Sequence, residues 1–222
     1  MQKNKEALVS VLSVLDKQGV LPHIILVGSW AEFLYGEASV LEEFASLGRT
    51  TDMDFLIKNL RQPKKKASIV EAMKKAGYAY NEDSITGCSK FYKDDLEIEF
   101  LICQRGNGVN PLPRTNLGVN AQEMTHMNVT AEHTIKVCYE GFDVCIPTPE
   151  AYVIQKMIIN DRRGLKKGSD QEKISSILPH ISIDELNNVF EGLTRNEKHN
   201  VEKFINEHVP EYSIKEGVIN QG

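Results

Sequence analysis

The sequence lacks the cysteine pattern of a disulfide-stabilised or zinc-stabilised domain. Its four cysteines, Cys88, Cys103, Cys138 and Cys145, lie far apart, and no two of them form a Cys-x-x-Cys pair. Structural zinc sites and disulfide frameworks of small domains both depend on closely and regularly spaced cysteines. The six histidines also show no ligand spacing. We therefore expect neither kind of cross-link.

Long apolar runs are also missing. The longest candidate, residues 24–27, has the length of a strand, whereas a membrane-spanning helix needs about 20 apolar residues. The first six residues lack the apolar segment of a signal peptide. These absences predict a cytoplasmic protein with no membrane partner.

The chain has no excess of positive charge. It carries 26 lysines and arginines against 31 aspartates and glutamates, a net charge of −5. Proteins that bind nucleic acid non-specifically are usually basic, so the composition disfavours that class. Two local basic clusters, residues 61–66 and 162–167, keep a nucleic-acid acceptor open.

The patterns that are present predict a mixed α/β domain followed by a helical domain. A chain of 222 residues suits one mid-sized domain with a helical addition. Thr148-Pro149-Glu150 is a typical helix start, and only helical patterns follow it to about residue 208. We place the domains at 1–147 and 148–222. Periodicity predicts helices at 5–17, 30–35 and 64–77, strands at 23–27, 52–57, 88–92 and 96–103, a long surface loop at 104–130, and a hairpin at 133–139 and 142–146.

Three short acidic or glycine-containing segments carry the chemistry. Gly28-Ser29 ends a strand and opens a helix, a geometry that presents backbone N–H groups to phosphate. Asp52 and Asp54 lie two apart on a strand and share a face, as do Glu97 and Glu99. If the two strands are neighbours, three or four carboxylates converge, which is how a two-magnesium site is built. The alternative is an ordinary solvated strand face.

In this order the segments resemble a known family. Val27-Gly28-Ser29, then Asp52-Met53-Asp54 and a later acidic strand, resemble the polymerase-β-like nucleotidyltransferases. The fuller strings at 28–36 and 49–54 are similar to the branch of abortive-infection-type toxins and small antibiotic nucleotidyltransferases. The resemblance implies a mixed β-sheet core flanked by helices, with a helical C-terminal domain. It also implies transfer of a nucleoside monophosphate from a nucleoside triphosphate (NTP) to an acceptor hydroxyl, with release of pyrophosphate.

The resemblance further implies which residues hold two Mg²⁺ ions. Asp52 and Asp54 would bind both ions. Glu99 would bind the catalytic ion and act as general base, because Glu99-Phe100-Leu101 repeats the pattern of Asp54-Phe55-Leu56. Glu97 is the alternative, since it shares the face of Glu99.

Other residues are implied in binding the NTP. Gly28-Ser29 would hold the β- and γ-phosphates, and Arg49 and Thr51 lie beside the acidic motif. If the family threonine stands two before the first aspartate, that position is Thr50 instead. Arg49 could equally pair with a neighbouring carboxylate.

A lysine and an aspartate of the helical domain complete the pattern. Lys156 lies in an apolar helical stretch, so it either extends to solvent or reaches the triphosphate. Asp170 follows on the next helix, where it either begins that helix or supports the site.

The sequence leaves the acceptor and two rival functions open. The acceptor is a small antibiotic, a tRNA or a protein, and no motif reports the nucleobase. A catalytically idle protein that binds nucleotide or a partner is the first rival. A metal-dependent phosphodiesterase or nuclease built on the same acid cluster is the second.

Overall fold

The computed structural model describes residues 2–46, 51–106, 112 and 115–222, which form a mixed α/β structure. Its helices are α1 Gln2–Lys17, α2 Ser29–Glu37, α3 Ile69–Lys75, α4 Asn128–Glu132, α5 Pro149–Ile159, α6 Lys167–Ile177, α7 Ile183–Glu191 and α8 Arg195–His208. Its strands are β1 Ile24–Val27, β2 Asp52–Ile57, β3 Ala79–Glu82, β4 Ser89–Lys93, β5 Leu96–Cys103, β6 Gln122–Met124, β7 Thr134–Tyr139, β8 Phe142–Pro147, β9 Tyr212–Lys215 and β10 Val218–Gln221. Short 3₁₀ turns lie at Leu21–His23, Asn160–Arg162, Gly164–Lys166 and Leu178–His180.

One mixed sheet organises the first two thirds of the chain. Its order is β1-β2-β5-β4-β3, and β6 pairs with the end of β5. Strands β2 and β5 run parallel, whereas β1 and β4 are antiparallel to them. The predicted mixed sheet flanked by helices and followed by a helical C-terminal part is confirmed.

Alternation along β2 places its two faces in different surroundings, as predicted. Met53, Phe55 and Ile57 are buried in the main hydrophobic core. Leu56 faces the other way and packs in a smaller cluster with residues of β1 and β5. Because side chains alternate along a strand, the acidic residues at the start of β2 share the face of Leu56.

The predicted helix start after β8 is also confirmed. The Thr148 hydroxyl accepts a hydrogen bond from the Ala151 backbone N–H at 3.2 Å, and Pro149 is the first residue of α5. A side-chain acceptor here satisfies one of the N–H groups that a helix leaves without an internal partner.

Several segments differ from the predictions, among them the end of the stretch predicted as a helical domain at 148–222, which forms the two-stranded sheet of β9 and β10. The helix predicted at 64–77 begins only at Ile69, because Lys64, Lys65 and Lys66 are exposed and offer no apolar face to the core. The region predicted as a surface loop at 104–130 contains β6 and the start of α4 in its described part. Its Leu117 and Ala121 are fully buried, so packing against the sheet outweighs the local loop signals.

A single hydrophobic cluster includes buried side chains from both sides of the predicted boundary at 147. Across that boundary, the Tyr35 hydroxyl of α2 donates to the Thr148 carbonyl at 3.3 Å. The domain boundary itself stays a prediction. No helix among the described residues is both long and apolar enough to cross a membrane.

Candidate active site

The turn after β1 lies directly against the first half of β2. Gly28 has φ 67° and ψ −149°, and α2 begins at the next residue, Ser29. Val27 pairs with Asp54 across the antiparallel β1–β2 ladder. A Cβ atom added to Gly28 would lie 3.5 Å from Oδ2 of Asp54. The strand, turn and helix predicted around Gly28-Ser29 are therefore present, and they adjoin the acidic motif.

The four predicted carboxylates lie on one face of two neighbouring strands. In the parallel β2–β5 ladder Asp52 pairs with Glu97, and Asp54 pairs with Glu99. Cross-strand partners point to the same side of a sheet. The condition that the sequence left open, adjacency of the two acidic strands, is met.

Asp54 shows how strongly these groups interact. Burial raises its pKa from 3.8 to about 7, with further increases from the charges of Glu99 and then Asp52. Lys166 and Arg163 act in the opposite direction on this pKa. Asp54 is therefore a half-buried carboxyl beside other carboxylates, an arrangement that a cation would stabilise.

Lysines contact the other three carboxylates. The Lys90 ammonium lies 2.6 Å from Oε1 of Glu97 and 2.5 Å from Oε1 of Glu99. Hydrogen bonds to both glutamates raise the pKa of Lys90 well above its ordinary value. The Lys166 ammonium lies 3.3 Å from Oδ2 of Asp52.

The four carboxylates are chemically suitable ligands for a divalent ion, but their oxygens are not arranged around a common point. Mg²⁺ takes oxygen ligands, and all four candidate ligands are carboxylates. Among the described residues, no three acid, histidine or cysteine side chains already form a group that could hold a metal ion. The ligand roles of Asp52, Asp54, Glu97 and Glu99 therefore stay predictions.

Lys156 does not extend to solvent, so that alternative is wrong. The residue is only 6% exposed, and its ammonium lies 2.5 Å from Oδ1 of Asp170 and over the ring of Tyr152. Burial lowers the pKa of Lys156, and the charge of Asp170 opposes that shift. Asp170 also accepts a hydrogen bond from Arg163 at 2.6 Å. The carboxylate thus fixes two cations near the site, and contact of Lys156 with phosphate stays a prediction.

The remaining predicted NTP-binding residues are less well defined. Thr51 is exposed, and its hydroxyl donates to Oδ1 of Asp52 at 3.2 Å. Arg49 and Thr50 lie outside the described residues. Their roles stay predictions.

Four cations around the site were not predicted there: Lys90, Arg163, Lys166 and Lys173. Arg163 and Lys166 belong to the basic cluster at 162–167, which the sequence connected only with a nucleic-acid acceptor. Lys90 was detectable, because the two-residue turn Asp94-Asp95 joins β4 to β5 and sets Lys90 opposite Glu99. The other three come from the turns and helix after α5, far away in sequence, and no local pattern connects them with β2 or α2.

Solved structures of other proteins share this fold. An antigenic nucleotidyltransferase-like protein from Paracoccidioides brasiliensis superposes with a TM-score of 0.55 at 14% identity, over 91% of this chain and 88% of that one. ANT(2″)-Ia in complex with adenylyl-2″-tobramycin superposes with a TM-score of 0.51 at 10% identity, over 84% and 94%. The solution structure of the antibiotic-resistance factor ANT(2″)-Ia gives 0.51 at 11% identity, over 85% and 89%. At these identities the likeness concerns the fold.

A search of curated protein sequences finds no relative of this chain. The family model described as nucleotidyltransferase, however, matches residues 6–182, well over half of the sequence. The chain therefore belongs to the nucleotidyltransferase family.

Proposed function

We propose that this protein is a magnesium-dependent nucleotidyltransferase that moves a nucleoside monophosphate from an NTP to an acceptor hydroxyl and releases pyrophosphate. The observation that carries the proposal is the register of β2 and β5. It sets Asp54 opposite Glu99 and Asp52 opposite Glu97, beside the Gly28 turn. Family membership supports nucleotidyl transfer as the reaction class.

The acidic face supplies the ligands for the metal. Asp52 and Asp54 would hold both Mg²⁺ ions and Glu99 the catalytic one, with Glu97 as the alternative. When bound, the ions neutralise phosphate charge and make the acceptor hydroxyl more acidic. Glu99 would take the proton of that hydroxyl as general base, and its register position opposite Asp54 supports this role.

The glycine turn and the nearby cations would position the triphosphate. Phosphoryl-type transfer depends mainly on positioning and charge neutralisation. Gly28 leaves room for the backbone to approach phosphate, and Ser29 opens α2, where free N–H groups favour anions. Arg49, Thr51 and Lys156 are proposed as additional phosphate ligands.

The acceptor is proposed to be a small molecule rather than a nucleic acid. Two cations near the acidic face are already engaged, Lys166 with Asp52 and Arg163 with Asp170. A polyanion would have to compete for each of them. The ANT(2″)-Ia complex holds an adenylylated tobramycin, which supports testing hydroxyl-bearing antibiotics first, with tRNA and protein as the other acceptors.

The decisive experiment measures pyrophosphate release and label transfer from each of the four NTPs to aminoglycosides, lincosamides and total tRNA. Asp52→Ala and Asp54→Ala should each lower the rate by about 10³-fold or more, since each removes a metal ligand worth several kcal/mol. Asp143→Ala is the matched control, because Asp143 is an exposed residue of β8 whose carboxylate pairs with Lys136. Wild-type rates from both site variants would contradict the assignment.

A second candidate function has its own supporting observation. Because the Lys90 ammonium is paired with both Glu97 and Glu99, the protein could bind nucleotide without turning it over, as a regulatory member of the family. Calorimetry with ATP and Mg²⁺ beside the turnover assay separates the two functions. Tight binding with no pyrophosphate from any acceptor would favour the regulatory role.

A further inference from the structure

Lys173 is a buried cation that connects α6 with the start of α2. It is 7% exposed, and its ammonium donates a hydrogen bond to Oγ of Ser29. The same ammonium lies 3.0 Å from Oε2 of Glu32, one turn further along α2. Lys173 is not among the residues proposed to bind the NTP, although it contacts Ser29, which is proposed to hold the β- and γ-phosphates.

The position of this ammonium is fixed by a buried acid. Glu32 is fully buried, and it accepts hydrogen bonds from the hydroxyls of Tyr152 and Ser46, each at 2.9 Å. A buried charge is costly unless it is paired and hydrogen-bonded, and Glu32 is both. Lys173 therefore cannot swing freely to another partner, and its contact with Ser29 has a defined direction.

That direction determines what the Ser29 hydroxyl can do. An ammonium group has only donors, so the Ser29 oxygen must be the acceptor. A hydroxyl carries a single proton, and the Ser29 proton remains available for a different partner. An anion at the turn after β1 is such a partner, because it also meets the N–H groups at the start of α2.

We infer that Lys173 is a positioning residue for the triphosphate of the NTP: its ammonium occupies the acceptor side of the Ser29 hydroxyl and so holds Ser29 as a hydrogen-bond donor to a phosphate oxygen. The inference rests on the proposed function, since it requires an NTP at the Gly28-Ser29 turn. Because Lys173 lies on α6 and Ser29 on α2, the inference also makes NTP binding depend on the packing of α6 against α2.

The test is a double-mutant cycle on ATP affinity, measured by calorimetry with Mg²⁺. Ser29→Ala and Lys173→Met should each weaken binding by about 10-fold or more, because each removes a charge-assisted hydrogen bond or the group it orients. The combined variant should bind ATP about as weakly as Ser29→Ala alone, since Lys173 acts through Ser29. Lys167→Met, an α6 variant whose ammonium pairs with Asp161 instead, should bind like wild type.

Lys173→Met leaves Glu32 without its ammonium partner, so folding needs a separate check. In the double variant Glu32→Gln/Lys173→Met the buried negative charge is removed together with the ammonium, and the melting temperature should recover. Its ATP affinity should nevertheless stay as low as that of Lys173→Met. Recovery of affinity together with stability would show a merely structural Lys173 and overturn the inference.

The remaining outcomes distinguish the inference from the proposed function. If wild-type protein binds ATP but Lys173→Met binds it equally well, or if the Ser29→Ala and Lys173→Met losses multiply, only the inference fails. If the wild-type protein binds none of the four NTPs with Mg²⁺, the proposed function and the inference fail together.

Discussion

Asp54 is the carboxyl of the acidic face whose ionisation is disfavoured by burial and by neighbouring negative charges. Its pKa of about 7 in the folded protein results first from burial and then from the charges of Glu99 and Asp52. The ordinary value is 3.8, so between these pH values the folded chain keeps a proton that the unfolded chain loses. Without metal, this group therefore makes the folded state less stable as pH rises through that window.

Replacing Asp54 by asparagine should remove that pH dependence. In the absence of divalent ions, Asp54→Asn should gain in melting temperature relative to wild type as pH rises from 4 to 8. The expected gain is about 2–4 °C for each kcal/mol relieved in a chain of this size. Adding Mg²⁺ at pH 8 should raise the melting temperature of wild type and leave the variant unchanged. Parallel pH curves for the two proteins would contradict the assigned electrostatics.

Glu99 and Glu97 should differ in their effect on turnover. Glu99 lies opposite Asp54, and its charge raises the pKa of Asp54 more than any other charge does. Glu97 lies opposite the exposed Asp52. Glu99→Gln should lower the transfer rate by about 10²-fold or more, and Glu97→Gln by less than about 10-fold. Both amides can still accept from Lys90, so both variants should fold. The reverse order of the two losses would assign the third carboxylate to Glu97.

At the scale of elements, sequence patterns predicted the features that depend on neighbouring residues and missed the contacts between residues far apart in the sequence. The β1–turn–α2 unit and the two-residue spacing of Asp52 and Asp54 depend on neighbours in the chain, so glycine placement and alternation predicted them. The pairing of Lys90 with Glu99 depends on a hairpin register, which one turn fixes. Lys166 and Lys173 reach the site only through tertiary packing, and packing leaves no periodic signal in the sequence.

The turn that joins β1 to α2 offers a matched test of its glycine. Gly28 has backbone angles that are open to glycine almost alone, so Gly28→Ala should cost on the order of 1–3 kcal/mol of stability. It should also weaken ATP binding by about 10-fold or more, because a distorted turn no longer presents its N–H groups. Gly19→Ala is the control, since Gly19 has φ 66° and an added Cβ would meet nothing within 4 Å. The control should lose stability yet keep wild-type affinity, and equal losses of affinity would remove the phosphate role of the turn.

At the scale of the whole molecule, the helices after residue 147 make buried contacts with α2 of the first part of the chain. Tyr152 of α5 and Lys173 of α6 both bind Glu32 of α2. These contacts are buried, and one hydrophobic cluster surrounds them. Separating the two parts would break these contacts and leave polar groups without partners in both parts. Unfolding of one part alone is therefore unfavourable.

The whole chain should therefore unfold in a single cooperative transition, despite the boundary predicted at 147. Its single tryptophan, Trp30, is buried in the first part, whereas α5 to α8 supply much of the helix seen by circular dichroism. Tryptophan fluorescence and far-ultraviolet circular dichroism should give the same melting temperature. Tyr152→Phe removes one donor to the buried Glu32 carboxylate and should cost about 1–3 kcal/mol, moving both curves down together. Two separated transitions, or a shift confined to one probe, would show that the two parts fold independently and that the contacts of Glu32 do not couple them.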